Sequence, residues 1–135
     1  MAGYSGTPLI RKLGLKPGET AAVVNPPWDY AAMLGHHGDV VQVAADAPPD
    51  GVTFLHVFTP IRAELDAALK AAVSCMARDG MIWVSWPKKA SKLPSEITED
   101  TVRELCLPLG LVDVKVCAVD AVWSGLKLVI RKELR

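Results

Sequence analysis

Two stretches of this sequence carry residues suited to holding a ligand. Trp86-Pro87-Lys88-Lys89-Ala90-Ser91-Lys92 places three lysines within five residues, next to an indole and a serine. Ammonium groups so close together form charge-assisted hydrogen bonds to carboxylate or phosphate oxygens. The competing reading is a solvated basic loop. The second stretch is Asp120-Ala121-Val122-Trp123-Ser124-Gly125, a short link between two apolar runs. An indole at Trp123 in such a loop packs a cofactor or a partner, or else covers the edge of the core. Lys115 and Lys127 either add charge near it or face solvent from their strands. The candidate ligand residues are therefore Trp86, Lys88, Lys89, Ser91, Trp123 and Ser124.

The remaining reactive side chains form no recognisable constellation. His36 and His37 are neighbours, so their rings diverge and make a poor bidentate metal site. His56 sits inside an apolar run and reads as a buried histidine with its hydrogen bonds satisfied. Cys75, Cys106 and Cys117 are odd in number, widely spaced and each set in apolar sequence. That pattern reads as reduced core thiols, neither a disulfide framework nor a metal site. No Ser/His/Asp or Cys/His pairing has a local context that marks a nucleophile. Neither a metal nor a named cofactor is expected from these residues.

The elements that must position the candidates follow from the apolar runs and their punctuation. The chain has 135 residues, half of them hydrophobic, a size and composition suited to one globular domain over 1–135. Residues 1–6 read as an N-terminal arm, and Tyr4 with its glycines could pack a second subunit to form a homodimer. A short helix follows, capped by Thr7, started by Pro8 and ended by Gly14. Thr20 to Asn25 reads as a buried strand, with a helix opened by Pro26-Pro27 and running through Leu34. Val40 to Ala44 and Val52 to Phe58 are further strands. Thr59 and Pro60 start a helix whose apolar face is Ile61, Leu65, Leu69, Ala72, Val73 and Met76, with Asp66 and Lys70 paired on the other face. Met81 to Trp86 is a fourth strand. Thr98 caps a helix with Glu99 and Asp100 in its first turn. Its N-terminus, downstream of the lysine loop, could help hold an anion. Leu111 to Val119 and Leu126 to Arg131 are too closely linked for a helical crossover, so they form an antiparallel hairpin.

This alternation predicts an α/β fold: a small Rossmann-like, truncated methyltransferase-like sheet, mostly parallel, ending in an antiparallel hairpin. Ligands in such sheets bind at the C-terminal strand ends, where the Trp86 loop leaves the fourth strand. Fifteen basic residues balance fifteen acidic ones, which argues against a binder of duplex nucleic acid. No run approaches the ~20 apolar residues of a membrane span. The N-terminus lacks a signal-peptide core, so a cytoplasmic location is expected.

Asn25-Pro26-Pro27-Trp28 resembles the catalytic motif of amino-methyltransferases, in which the Asn side chain and a Pro carbonyl accept from the target amino group and an aromatic ring stacks on the base. Its context differs from that family. A glycine-rich turn after a strand is needed upstream for the methyl donor, and the 24 residues before Asn25 hold none. The alternative reading is a strand end and helix start. Two prolines there remove two N–H groups, and Asp29 repels anions, so the turn makes a poor phosphate cradle.

A wider resemblance spans nearly the whole chain. Gly3-Tyr4-Ser5-Gly6-Thr7-Pro8-Leu9, Lys12-Leu13-Gly14, Trp86-Pro87-Lys88-Lys89-Ala90-Ser91 and Thr98-Glu99-Asp100 with Val102-Arg103 are part of it. So are Leu107-Pro108-Leu109-Gly110-Leu111-Val112-Asp113, Lys115-Val116-Cys117-Ala118 and Trp123-Ser124-Gly125-Leu126. Together they resemble the bacterial domain of unknown function numbered three thousand and fifty-two. The resemblance implies a stand-alone cytosolic domain and carries over no activity, cofactor or catalytic residue. The function expected from the residues is a non-catalytic module binding an anionic small molecule or a protein partner through the Trp86–Ser91 loop. The alternative is a degenerate methyltransferase-like enzyme dependent on S-adenosylmethionine.

Overall fold

The structure is a computed structural model that describes residues 8–35 and 39–135. The expected arm with its dimer contact, the Thr7 cap and the His36-His37 pair lie outside these residues.

The strands are β1 (Thr20–Val24), β2 (Asp39–Gln42), β3 (Phe54–Phe58), β4 (Met81–Pro87), β5 (Leu111–Ala118) and β6 (Trp123–Ile130). The helices are α1 (Leu9–Leu13), α2 (Tyr30–Met33), α3 (Arg62–Val73) and α4 (Glu99–Cys106). The strands form one sheet in the order β2-β1-β3-β4-β6-β5. The pairs β1–β2, β1–β3 and β3–β4 are parallel, while β6 runs antiparallel to both β4 and β5. This is the expected mostly parallel Rossmann-like sheet with an antiparallel hairpin.

Burial on both faces explains why the central strands read as continuous apolar runs instead of alternating ones. β3 is buried at every position. On one face, Leu65, Ala68, Leu69 and Ala72 of α3 and Val102 and Cys106 of α4 pack on Leu55, Val57, Ile82, Val84, Leu126 and Leu128. On the other, Leu13, Tyr30 and Leu34 cover Val23, Phe54, Phe58 and Trp83. Among the described residues no helix is long and apolar enough to cross a membrane. Cys75, Cys106 and Cys117 are free thiols. Burial pushes the Cys106 thiol up to about 11, away from the thiolate form that reactivity needs.

Several boundaries differ from expectation. The helix after β1 does not open at the prolines: α2 begins at Tyr30, and the Asp29 carboxylate caps it by accepting from the Ala32 N–H at 3.1 Å. Pro27 disfavours helical geometry at Pro26, and Asn25 turns the chain in the left-handed region at φ 53°. α3 begins at Arg62, with Ile61 at its N-cap and exposed, so Ile61 leaves the expected apolar face. The Thr59 hydroxyl instead holds the approach, accepting from the Ile61 N–H at 3.0 Å and donating to Glu64 at 3.1 Å. β2 stops at Gln42, although the Val43 N–H still reaches the Val23 carbonyl. β6 starts at Trp123, three residues before the expected strand, because Pro87 and Trp123 are already paired across to β4. The Asp66–Lys70 pair forms at 2.9 Å, and Thr98 caps α4 in a capping box with Thr101.

Gly125 shows how tightly β6 meets β4. A methyl group there would stand 3.1 Å from Val119 Cγ2 and 3.3 Å from Trp83 Cε3. Gly125→Ala is expected to destabilise by about 1–3 kcal/mol through overpacking, read as a lower urea midpoint. An unchanged midpoint would show that the neighbours yield freely.

A candidate ligand cleft and the strand-end crevice

An open cleft of about 630 Å³ lies at the C-terminal end of β4. β4 supplies Trp86 and Pro87, and the chain leaving it supplies Lys88 and Lys89. Leu93, Ser95 and Ile97 form a second wall, Thr98, Glu99 and Asp100 a third, and Ser124 enters from β6. Trp86 is almost wholly buried and serves as floor.

Four of the six candidate residues therefore meet in one cleft: Trp86, Lys88, Lys89 and Ser124. Two do not. The Ser91 hydroxyl donates to the Lys88 carbonyl at 2.6 Å and accepts from the Leu93 N–H at 3.2 Å, closing a short 3-10 turn over Lys89–Ser91. Trp123 packs edge-on against Phe58, ring centroids 5.4 Å apart, in the core of the opposite sheet face. Because Trp123 and Ser124 are consecutive strand residues, their side chains take opposite faces. Only Ser124 can line the cleft. Lys115 and Lys127 do not line it either.

The charges in the cleft are unequally engaged. The Lys89 ammonium makes no hydrogen bond or ion pair among the described residues, and the side chain is exposed. The Lys88 ammonium donates to the Asp120 carbonyl, a neutral acceptor, at 2.9 Å. On the opposite wall, Glu99 and Asp100 are both held by Arg103, at 3.1 and 3.2 Å, and Arg103 also binds Asp113 at 3.1 Å. The α4 N-terminus, which was expected to help hold an anion, lines the cleft with its own groups in place. Thr98 already caps it, and Glu99 and Asp100 already set negative charge against its dipole.

A second place of interest is the topological switch point, between β1 and β3, where the strand order reverses. There Asn25-Pro26-Pro27 carries the chain out of β1, and no glycine offers a close backbone approach. The Trp28 indole reaches across: its N–H donates to Asp120 Oδ2 at 2.9 Å. Its ring stands edge-on to Phe58 at 5.5 Å and stacks near Tyr30 at 5.9 Å.

Beneath these rings lies a buried polar chain. The Tyr30 hydroxyl is 2.8 Å from His56 Nδ1, and His56 Nε2 is 2.7 Å from Ser85 Oγ. His56 thus has a partner at each nitrogen, as a buried histidine should, and no buried side-chain polar atom among the described residues lacks one. Burial lowers the His56 pKa to about 3, so the ring is neutral. A serine against a histidine suggests nucleophilic chemistry, but Ser85 and His56 are both inaccessible and Phe58 stacks on the His56 ring at 4.1 Å. The arrangement is structural. Sequence reading found His56 and missed its partners. The available signal was that His56 and Ser85 each interrupt an apolar strand. In register His56 faces Trp83, which puts Ser85 two positions on along the same face.

No family model matches the chain, and no curated protein matches it. Solved structures do. The chain is similar to an S-adenosylmethionine-dependent methyltransferase from Aquifex aeolicus, with a TM-score of 0.65 and 16% identity over 89% of this chain and 86% of that one. It is similar to the magnesium protoporphyrin IX methyltransferase from Synechocystis, solved with bound S-adenosylmethionine, at a TM-score of 0.59 and 8% identity over 90% and 74%. LepI in complex with S-adenosylmethionine aligns at a TM-score of 0.58 and 13% identity, covering 93% of this chain and 47% of that one. The fold is methyltransferase-like.

Proposed function

We propose that this chain is a non-catalytic module of methyltransferase-like fold that binds a small anionic ligand in the cleft at the end of β4, and that it works in the cytoplasm. The observation that carries this reading is the pairing of Lys88 and Lys89 on one wall. One ammonium is unpartnered, while the facing carboxylates share the Arg103 guanidinium with Asp113. An apolar floor with a few convergent polar groups is the usual form of a small-molecule site. The turn after β1 supports the same reading from the other side: its two prolines lack the donors a phosphate would need.

The test is a thermal-shift screen with phosphorylated and carboxylated metabolites, nucleotides and coenzyme A. A ligand at a hundred times its dissociation constant adds ~2.7 kcal/mol of stability. The expected result is a shift for one anionic class that Lys88→Ala with Lys89→Ala removes. A shift that survives the double variant would move the site elsewhere. No shift from any probe would favour docking of a protein partner on the same loop.

A degenerate methyltransferase is the second reading, favoured by neighbours solved with S-adenosylmethionine. Calorimetry with S-adenosylmethionine and S-adenosylhomocysteine separates the two. Saturable binding insensitive to Lys88 and Lys89 supports the enzyme-like reading, and the absence of heat at millimolar ligand removes it.

A further inference from the structure

Asp120 bonds both to Lys88 of the cleft and to Trp28 at the switch point. One carboxylate oxygen, Oδ1, accepts from the Val122 and Trp123 N–H groups at 2.8 and 2.7 Å and so shapes the β5–β6 turn. The other, Oδ2, accepts from the Trp28 indole, 92 residues away in sequence. The main-chain carbonyl of the same residue accepts from the Lys88 ammonium at 2.9 Å. The Lys88 N–H also donates to the Val122 carbonyl at 2.7 Å. An ammonium has three donors, so one anchors Lys88 to the turn and two stay available to the cleft.

We infer that Asp120 is a positioning residue that couples the cleft to the crevice, so that the state of Trp28 sets the state of the Lys88 ammonium. Trp28 tethers one oxygen of the Asp120 carboxylate, the other oxygen holds the turn amides, and the Asp120 carbonyl holds Lys88 at the cleft. Displacing the indole removes this one tether on Asp120 and loosens the ammonium. The inference makes this the regulation of the proposed anion site, and in that respect it rests on the cleft being one. The path is specific because Trp28 does not line the cleft. A change there reaches Lys88 through one shared residue, Asp120, bonded to both.

Trp28→Phe removes the indole N–H and keeps an aromatic ring for Tyr30 and Phe58. Asp120→Asn keeps an oxygen for the turn amides but presents an NH2 group to the Trp28 N–H, donor against donor. Both variants should fold, which a thermal melt checks, and either serves if the other does not. The experiment is brief acetylation of the native proteins with an N-hydroxysuccinimide ester, read residue by residue by peptide mass spectrometry, with Lys89 as internal reference. The expected result is faster labelling of Lys88 relative to Lys89 in each variant, by about fivefold, the change that losing one ordinary hydrogen bond brings. Equal Lys88 labelling in wild type and folded variants overturns the coupling. A parallel titration with pyrophosphate should show weaker binding in Trp28→Phe by a similar factor. If wild-type protein binds no pyrophosphate while Lys88 labelling still rises in the variants, the coupling stands and the anion reading falls.

Discussion

Acidifying the protein from pH 7 towards pH 4 should destabilise it steeply, and most of that pH dependence should vanish in His56→Leu. The cause is the buried His56 ring, whose pKa falls to about 3 from the ordinary 6.5 because burial disfavours the charged form. The folded state therefore keeps the ring neutral while the unfolded chain binds a proton below 6.5. Stability is full above the unfolded value and drains away as pH falls from 6.5 towards 3, by up to about 1.4 kcal/mol per pH unit. Over the whole window the loss is of order 3–5 kcal/mol, a large share of the 5–15 kcal/mol typical of a domain. Tyr30, hydrogen-bonded to His56, acts in the opposite range. Burial, and to a lesser degree the nearby Cys117, push its hydroxyl well above the ordinary value. Its contribution is lost as pH rises beyond 10. Denaturant midpoints at pH 7, 5.5 and 4 read the His56 effect. His56→Leu starts less stable, since it orphans the Tyr30 and Ser85 hydroxyls, but its midpoint should change little with pH over this window. Parallel pH profiles for wild type and variant would show that His56 is protonated in the native state or contributes nothing.

Trp83→Ala should lower stability by about 3–5 kcal/mol, the range for emptying a large aromatic site that cannot collapse. Trp83 is inaccessible to solvent and lies in the core beneath α1. Its surroundings are rigid: β3 and β6 flank it and Gly125 lies against its ring. The indole also has a polar task. Its N–H donates to the Leu13 carbonyl at 2.8 Å, one of the orphan acceptors at the C-terminal end of α1. Trp83→Phe separates the two contributions, since it keeps most of the ring and leaves that carbonyl unpaired in the interior, a loss of about 1–3 kcal/mol. Chemical denaturation of both variants gives the comparison. Should Trp83→Phe prove as stable as wild type, water must satisfy the carbonyl and α1 must be held by its apolar contacts alone.

These two predictions, with those for Gly125, for Lys88 and Lys89, and for Trp28, draw on features that differ in how far the sequence reveals them. What depends on nearby residues could be read directly. α4 was legible because its Thr98 cap and its first-turn carboxylates Glu99 and Asp100 are consecutive residues. β3 and β4 were legible because burial on both faces leaves an apolar run bounded by turns. The short link between β5 and β6 dictated an antiparallel pair, since no crossover fits in it. The cluster of Trp86, Lys88 and Lys89 was visible for the same reason, as neighbours leaving one strand end.

What depends on register and parity was decided only in three dimensions. Ser124 belongs to the cleft and Trp123 does not because β6 begins at Trp123, and a strand sends successive side chains to opposite faces. His56 finds Ser85 and Tyr30, 29 and 26 residues away, only once β3 is aligned with β4 and α2 is folded back over the sheet. The prolines after Asn25 suggested a helix start, whereas the left-handed turn at Asn25 sends Trp28 across the switch point to Asp120. Local sequence carries caps, turns and apolar periods, because those arise within one element. Strand order and contacts across 92 residues arise from how the elements bury one another's faces, and that is settled by the packing of the whole chain.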